Sequence, residues 1–384
     1  MSSNTDREAF GLTEQQELIR QTARRLAREV VAPTAAARDK SGAWPHEELK
    51  AIAELGFMGM LIPEEYGGAD IGFLNYALVI EELSWADAGV GTIVHVHNLG
   101  AAMPLYQIGT EEQRRKYLPA ISRGELIGAC MLTEPHAGSD TAAFRTTARL
   151  EGDHFVLNGT KQFVSNGSEA GFSLVLAVTD KDAGKNGFTC FLVDPKSPGV
   201  EVLRVEDKLG QHTAHTAQIG LNNVRVPVEN VLGGVGKGYR TVMSLLSDGR
   251  IGIAAQAVGI AQAALDAAVA YAKERTAYGR PIFELQGVAF KLAEMAAQVD
   301  VARQYYRHVA RMIEAGVPCA KEAAIAKLMA SEMAERVCSE ALQVFGGAGY
   351  TTDFPVERFL RDVRICRIYE GTSEIQKLII SRNL

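Results

Sequence analysis

Cysteine is scarce in this 384-residue chain and tryptophan scarcer still, with five of the first and two of the second. Cys130, Cys190, Cys319, Cys338 and Cys366 are odd in number, widely spaced and form no CxxC pair. That pattern argues against a disulfide framework and a cysteine zinc site, and leaves each as a small apolar residue in a reducing compartment. Cationic excess is absent as well: 40 Lys and Arg face 46 Asp and Glu, for a net charge of -6. Nothing therefore draws the chain to nucleic acid or anionic membrane, and a polyanionic ligand must be met by local cations. No uninterrupted apolar run approaches the length of a membrane span. Residues 1–10, with Asp6 and Glu8, have neither the apolar core of a secretory leader nor the basic character of a transit sequence. A cytoplasmic location is expected. Nucleotide fingerprints are missing too. Gly233-Gly234-Val235-Gly236-Lys237-Gly238 lacks the Ser/Thr of a Walker loop and the spacing of a Rossmann turn, and reads as a flexible lead into the helices that follow. His95-Val96-His97 and His212-Thr213-Ala214-His215 have no Cys or carboxylate framework beside them, so no metal site is expected.

What is present is an ordinary globular composition, 47% hydrophobic and 22% charged, in a chain long enough for two or three domains. Thr13-Glu14-Gln15-Gln16 is a capping-box pattern that opens a helix ending near Pro33. Helical periodicity recurs over 47–55, 74–85 and 90–105. After about Gly128 the pattern turns β-like. Asn158-Gly159 between 155–157 and 162–164 predicts a tight hairpin, and short runs follow at 174–178, 188–193, 200–205 and 224–226. Long Ala-rich helical stretches then occupy 239–273, 286–315 and 321–345. The expected fold is α+β: an N-terminal α-helical domain (1–128), a middle antiparallel β-barrel-like domain (129–236) and a C-terminal four-helix bundle (237–384).

Near the end stands Ile368-Tyr369-Glu370-Gly371-Thr372-Ser373-Glu374-Ile375-Gln376. Gly371 permits a sharp turn after Glu370, and Thr372 or Ser373 can cap the helix that follows. Such a turn projects the carboxylate into a space, where an apolar setting raises its basicity and makes it a general base. On spacing alone, an ordinary surface glutamate before the last helix is the better reading.

The run resembles the signature of the acyl-CoA dehydrogenases, flavoenzymes that oxidise acyl-CoA thioesters to 2,3-enoyl thioesters, and four more stretches share the resemblance in order. Cys130-Met131-Leu132-Thr133-Glu134-Pro135-His136-Ala137-Gly138-Ser139-Asp140 and Lys161-Gln162-Phe163-Val164-Ser165-Asn166-Gly167 look like the family's two flavin-contacting segments. Arg275-Thr276-Ala277-Tyr278-Gly279-Arg280-Pro281-Ile282 and Gln343-Val344-Phe345-Gly346-Gly347-Ala348-Gly349-Tyr350 look like the segments that reach a neighbouring subunit's cofactor. The resemblance implies FAD bound by Leu132, Thr133, Ser139, Phe163 and Ser165 from one subunit. It implies Arg275, Tyr278, Gln286, Gln343 and Gly347 from another, with Thr372 and Glu374 also near the cofactor. It places Ser139, Ser247, Arg250, Tyr369 and Gly371 around the acyl-CoA, and gives Glu370 the α-proton. A second arrangement known in the family puts the base just before the arginine matched by Arg250. Here that residue is Gly249, which has no carboxylate, and Ser247 stands where the family usually has Asp. His95 and His97 lie in the stretch that lines the acyl pocket in relatives.

The expected function is therefore FAD-dependent α,β-dehydrogenation of an acyl-CoA, with a short, branched or cyclic chain favoured. An electron-transfer flavoprotein is the expected acceptor, and the expected assembly is a homotetramer, a dimer of dimers, without nucleic acid or membrane insertion. The absence of Arg over 95–102 disfavours a dicarboxylic acyl group. The rival readings are an oxidase on the same fold and a non-catalytic acyl-CoA binder.

Overall fold

The computed structural model describes residues 11–384, the side chains of 244–247 excepted. The acidic segment 1–10 lies outside the described residues. Helix α1 (Glu14–Leu26) begins with the capping box: Thr13 Oγ1 accepts from Gln16 N–H at 3.2 Å and Gln16 Oε1 accepts from Thr13 N–H at 3.0 Å. The helical run does not stop near Pro33 as expected. A π turn (Ala27–Val31) intervenes, and α2 (Ala32–Ser41) starts with the proline in its first turn, where a missing N–H costs nothing. There follow α3 (His46–Glu54), α4 (Phe73–Ala86), α5 (Ala88–His95), a second π turn (Val96–Ala102), α6 (Met103–Ile108) and α7 (Glu111–Ser122). Helix α4 is buried on nearly every face because α1 and two long C-terminal helices enclose it, which explains why its sequence is apolar all round.

The middle third is an eight-stranded sheet: β1 (Gly128–Met131), β2 (Thr147–Glu151), β3 (His154–Ser165), β4 (Phe172–Val178), β5 (Phe188–Val193), β6 (Val200–Val205), β7 (Thr216–Pro227) and β8 (Val231–Leu232). The strand order is β6-β7-β3-β2-β4-β5-β8, with β1 paired to β4. Most pairs are antiparallel as expected, but β1–β4 and the single β2–β4 bridge are parallel. The intervening β2–β3 ribbon is a connection long enough to bring β4 back in the direction of β1. The Asn158-Gly159 hairpin does not exist. Both residues lie inside the continuous β3, at a bulge where Asn158 Oδ1 accepts the Asn223 N–H at 2.9 Å and a Cβ on Gly159 would clash with Thr146. The true turn is Gly152-Asp153, joining β2 to β3 with Gly152 at φ +65°.

Three long helices return: α8 (Gly238–Glu274), α9 (Gln286–Glu314) and α10 (Ala320–Phe345), followed by α11 (Val356–Val363) and α12 (Ser373–Ser381). Helix α12 packs on α10 as the fourth, short member of the bundle. Against expectation, one described helix, α8, is long and apolar enough to cross a membrane. Its apolar window is 72% buried among α4, α9 and α10, so in this fold it is the core helix of the bundle. Four cysteines are buried, Cys130 is half-buried, and all are free thiols.

Candidate active site

The site begins with two left-handed residues. Thr372 caps α12, its hydroxyl accepting from Ile375 N–H at 3.4 Å, and immediately before the cap Glu370 (φ +54°) and Gly371 (φ +89°) turn the chain. Glycine adopts that region freely, whereas for glutamate it costs on the order of 1–3 kcal/mol and persists only where the surroundings enforce it. Two side chains do so. Lys327 Nζ of α10 donates to Gly371 O at 2.6 Å, and Gln376 Nε2 donates to Glu370 O at 3.1 Å and to Gly371 O at 2.8 Å. Burial pushes the Lys327 ammonium down to about 8, in spite of the favourable Glu370 carboxylate nearby.

The Glu370 side chain is 21% exposed, with Oε1 3.5 Å from His95 Nε2. Its Oε2 lies 3.0 Å from the point where a side chain on Gly249 would begin. The absent side chain of Gly249 thus leaves open space beside one carboxylate oxygen. The surroundings are not the apolar setting expected, since His95, Arg250 and Lys327 all act on this carboxylate. Burial lowers the Arg250 guanidinium from its ordinary value, and Glu370 is the first charge opposing that effect. Burial also raises the Asp248 carboxyl, with Arg250 opposing. Tyr369 turns its hydroxyl onto Gln256 of α8, while Gln256 Nε2 donates to Ala88 O at 2.8 Å and Thr92 Oγ1 at 2.7 Å.

The two sheet segments meet at Gln162 N–H, which donates to Thr133 O at 2.8 Å. Beneath them Lys161 Nζ, fully buried, donates to Leu132 O and to Glu134 Oε1, each at 2.9 Å. Glu134 in turn accepts from the N–H groups of Arg145 and Thr146 at 2.7 and 2.9 Å. Asn166, also buried, donates to Ile93 O and Gly128 O and so fixes β3 to α5 and β1. Between Lys161 and Val164 the β3 register shifts, and Phe163 (φ +55°) stands 62% exposed. Leu132, Thr133 and Ser165 are half-buried around it, and Ser139 is exposed on the loop after β1. An exposed aromatic ring on a left-handed residue, with the hydroxyl residues Thr133 and Ser165 in the same two joined segments, fits the planar ring of a flavin.

Arg275, Tyr278, Gln286, Gln343 and Gly347 gather elsewhere. Arg275 ends α8, its carbonyl accepting from Ile282 N–H at 2.8 Å, and Tyr271 one turn earlier stacks on Phe345, 4.1 Å between ring centres. All five are exposed, and added side chains at Gly346 or Gly347 would meet nothing. This group fits a pyrophosphate. Along α8, however, Arg275 is roughly 37 Å from Arg250. The Arg275 group therefore stands far along the bundle from Arg250, the cation beside the Glu370 turn.

The remaining expected positions fall as follows. Glu374 is exposed in the first turn of α12 and Thr372 is its cap. The Ser247 side chain lies outside the described residues. His97 is not at the carboxylate: fully buried, it accepts from Gly128 N–H at 3.1 Å and pairs with Ile121 O, and burial pushes it down to about 4. His212 and His215 are taken up by Asp39, Lys208, Glu169 and Gly42. Lys327 and Tyr76 carry no local signature in the sequence that marks them for this site, and Gln376, although inside the Ile368–Gln376 run, was given no role. Only the glycines at 249 and 252, three apart in an alanine-rich helix, were a visible signal that something packs closely there.

The chain matches known proteins along nearly its whole length. Residues 13–125, 129–224 and 236–384 match the family profiles described as acyl-CoA dehydrogenase N-terminal, middle and C-terminal domains. The chain is 44% identical over 372 residues to the short-chain specific acyl-CoA dehydrogenase of Clostridium acetobutylicum, covering 97% of this chain and 98% of that protein. Among solved structures it superposes on butyryl-CoA dehydrogenase from Megasphaera elsdenii with a TM-score of 0.95 at 40% identity, covering 97% of this chain and 99% of that one. A chain in the structure described as the electron transferring flavoprotein of Acidaminococcus fermentans gives a TM-score of 0.96 at 44% identity, with coverage of 97% and 98%.

Proposed function

The chain belongs to the acyl-CoA dehydrogenase family, an FAD-dependent oxidoreductase, and from that premise we propose that it desaturates a short, branched or cyclic acyl-CoA with Glu370 as the base. The observation that carries the reading is the Glu370 carboxylate, held on a strained left-handed backbone with one oxygen against His95 and the other over the gap at Gly249. A carboxylate so placed can reach a substrate carbon threaded past α8 without competing with a neighbouring side chain. Glu370 Oε2 takes the α-proton. The Glu370 N–H lies in the same turn and polarises the thioester carbonyl, as an α-proton of this acidity requires. Bound FAD supplies the acceptor for the β-hydride. Leu132, Thr133, Phe163 and Ser165 of one subunit would hold its ring, with Thr372 and Glu374 alongside. Arg275, Tyr278, Gln286, Gln343 and Gly347 of another would hold the pyrophosphate and adenosine end. Ser139, Ser247, Arg250, Tyr369 and Gly371 frame the acyl-CoA.

The distance of the Arg275 group from the Glu370 turn on one chain supports a shared cofactor and hence at least a dimer, with a homotetramer as the full assembly. The named specificity of the Clostridium relative and of the Megasphaera structure supports a short acyl chain. The close likeness to a chain in the Acidaminococcus electron transferring flavoprotein structure supports an electron-transfer flavoprotein as acceptor. A cytoplasmic location completes the proposal. The test is anaerobic titration of the flavin with butyryl-, isobutyryl-, cyclohexanecarbonyl- and octanoyl-CoA. Bleaching is expected with the first three in preference to octanoyl-CoA; bleaching by octanoyl-CoA alone would refute the chain-length assignment.

A further inference from the structure

Beside Glu370 two buried residues form a hydrogen-bonded pair, one of which faces the carboxylate, that the reaction as described does not use. His95, at the end of α5 and 2% exposed, lies between Tyr76 of α4 and the Glu370 carboxylate. Tyr76 Oη is 2.5 Å from His95 Nδ1, and His95 Nε2 is 3.5 Å from Glu370 Oε1. The direction of the bond follows from chemistry. A fully buried phenol holds its proton, here with burial and the nearby Glu370 charge both pushing its ionisation up, so Tyr76 donates to Nδ1. A neutral imidazole that accepts at Nδ1 carries its proton on Nε2, and Nε2–H is then the donor on the side of Oε1, 3.5 Å away.

Helix α8 is shaped around this arrangement. A side chain on Gly252 would collide with His95 Nδ1 and sit 2.5 Å from Tyr76 Oη, while one on Gly249 would crowd Glu370 Oε2 at 3.0 Å. Two glycines one turn apart on the same helix thus make room for the dyad and for the carboxylate it faces. We propose that Tyr76 and His95 are positioning residues for the base, with His95 Nε2–H holding Glu370 Oε1 so that Oε2 alone is presented to the substrate α-carbon over Gly249. The proposal rests on Glu370 being the base. It adds what orients the reacting oxygen.

A donor of this kind lowers the basicity of the carboxylate slightly but removes its rotational freedom, and geometry outweighs basicity when a displacement of about 1 Å costs roughly 100-fold in rate. The assay is anaerobic stopped-flow reduction of the FAD-loaded enzyme by butyryl-CoA, with FAD content and apparent substrate affinity measured alongside. His95→Leu fills the space without the donor and is expected to slow flavin reduction about 10- to 100-fold at unchanged affinity. His95→Gln returns an N–H near the Nε2 position and is expected to recover most of the rate, which a packing role would not produce. Tyr76→Phe, which frees the imidazole to change tautomer, is expected to slow reduction more than about threefold. Reduction by His95→Leu within about threefold of wild type would overturn the proposal, as would a His95→Gln variant no faster than His95→Leu. If His95→Leu does not retain FAD, Tyr76→Phe decides on the same threshold. Glu370→Gln separates the two levels. If it still reduces flavin normally the base assignment falls, whereas if it is inactive while His95→Leu is not, only the dyad falls.

Discussion

Gly249→Ala separates the geometry of the site from the stability of the fold, because the two should move in opposite directions. Gly249 lies inside α8, where alanine in place of glycine stabilises a helix by about 0.5–1 kcal/mol. For a chain of this length that corresponds to a rise of about 1 °C in Tm. The added methyl would stand 3.0 Å from Glu370 Oε2 and 3.5 Å from its carboxyl carbon. The oxygen must retreat by several tenths of an ångström, and the methyl also fills the gap through which a substrate α-carbon approaches. Misplacement on that scale is expected to slow flavin reduction roughly 10- to 100-fold. The measurement pairs stopped-flow reduction by butyryl-CoA with calorimetric Tm and FAD content. An alanine variant that folds, binds FAD and reduces it at the wild-type rate would refute the placement of the reacting oxygen over Gly249.

Three further outcomes follow from the same structure. Asp362 is buried, and burial lifts its carboxyl to about 7 although the Gln211 N–H favours the charged form. Its folded value is raised above the unfolded value near 4, so its contribution to stability is complete below about pH 4 and is lost as pH rises through 7, about 4 kcal/mol in all. Asp362→Asn keeps an acceptor for Gln211 and should gain on wild type in urea-unfolding stability as pH rises from 4 to 7, exceeding it at pH 8, while the buried His97 raises both proteins over the same range; a difference between the two that stays constant across that window would contradict this. Arg275→Ala, on an exposed residue, should leave Tm unchanged while weakening FAD retention about 10- to 100-fold, the loss of one charge-assisted bidentate contact. Mixing Arg275→Ala with Glu370→Gln subunits should restore activity, since one shared site then has both intact residues, and no recovery on verified subunit exchange would speak against a shared cofactor.

The long elements were legible because their periodicity is strong and their burial uniform: α8, α9 and α10 differ from the sequence reading by a residue or so at each end. Where local chemistry had two uses, sequence chose wrongly. Asn158-Gly159 suits a hairpin turn, but it equally suits a bulge, and only the Asn158–Asn223 pairing with a strand about 65 residues away selects the second. Pro33 ends an ordinary helix, yet a π turn before it resets the hydrogen-bond register so that the proline becomes a first-turn residue. At the site, Glu370 and Gly371 were visible as a turn because they adjoin the Thr372 cap. Lys327 and Tyr76, which hold that turn or its neighbour His95, come from two other helices, and Gln376 reaches back to it from the capped helix itself. Their roles depend on packing that no local pattern encodes. The polar surroundings of the carboxylate escaped for the same reason.

The most direct measurement is anaerobic flavin reduction by butyryl-CoA in Glu370→Gln, a substitution that keeps the size and the left-handed turn but removes the base. With FAD bound and acyl-CoA still held, reduction is expected to fall by at least about 100-fold. Reduction at the wild-type rate would mean that another group removes the α-proton and that the geometry around residue 370 serves something else.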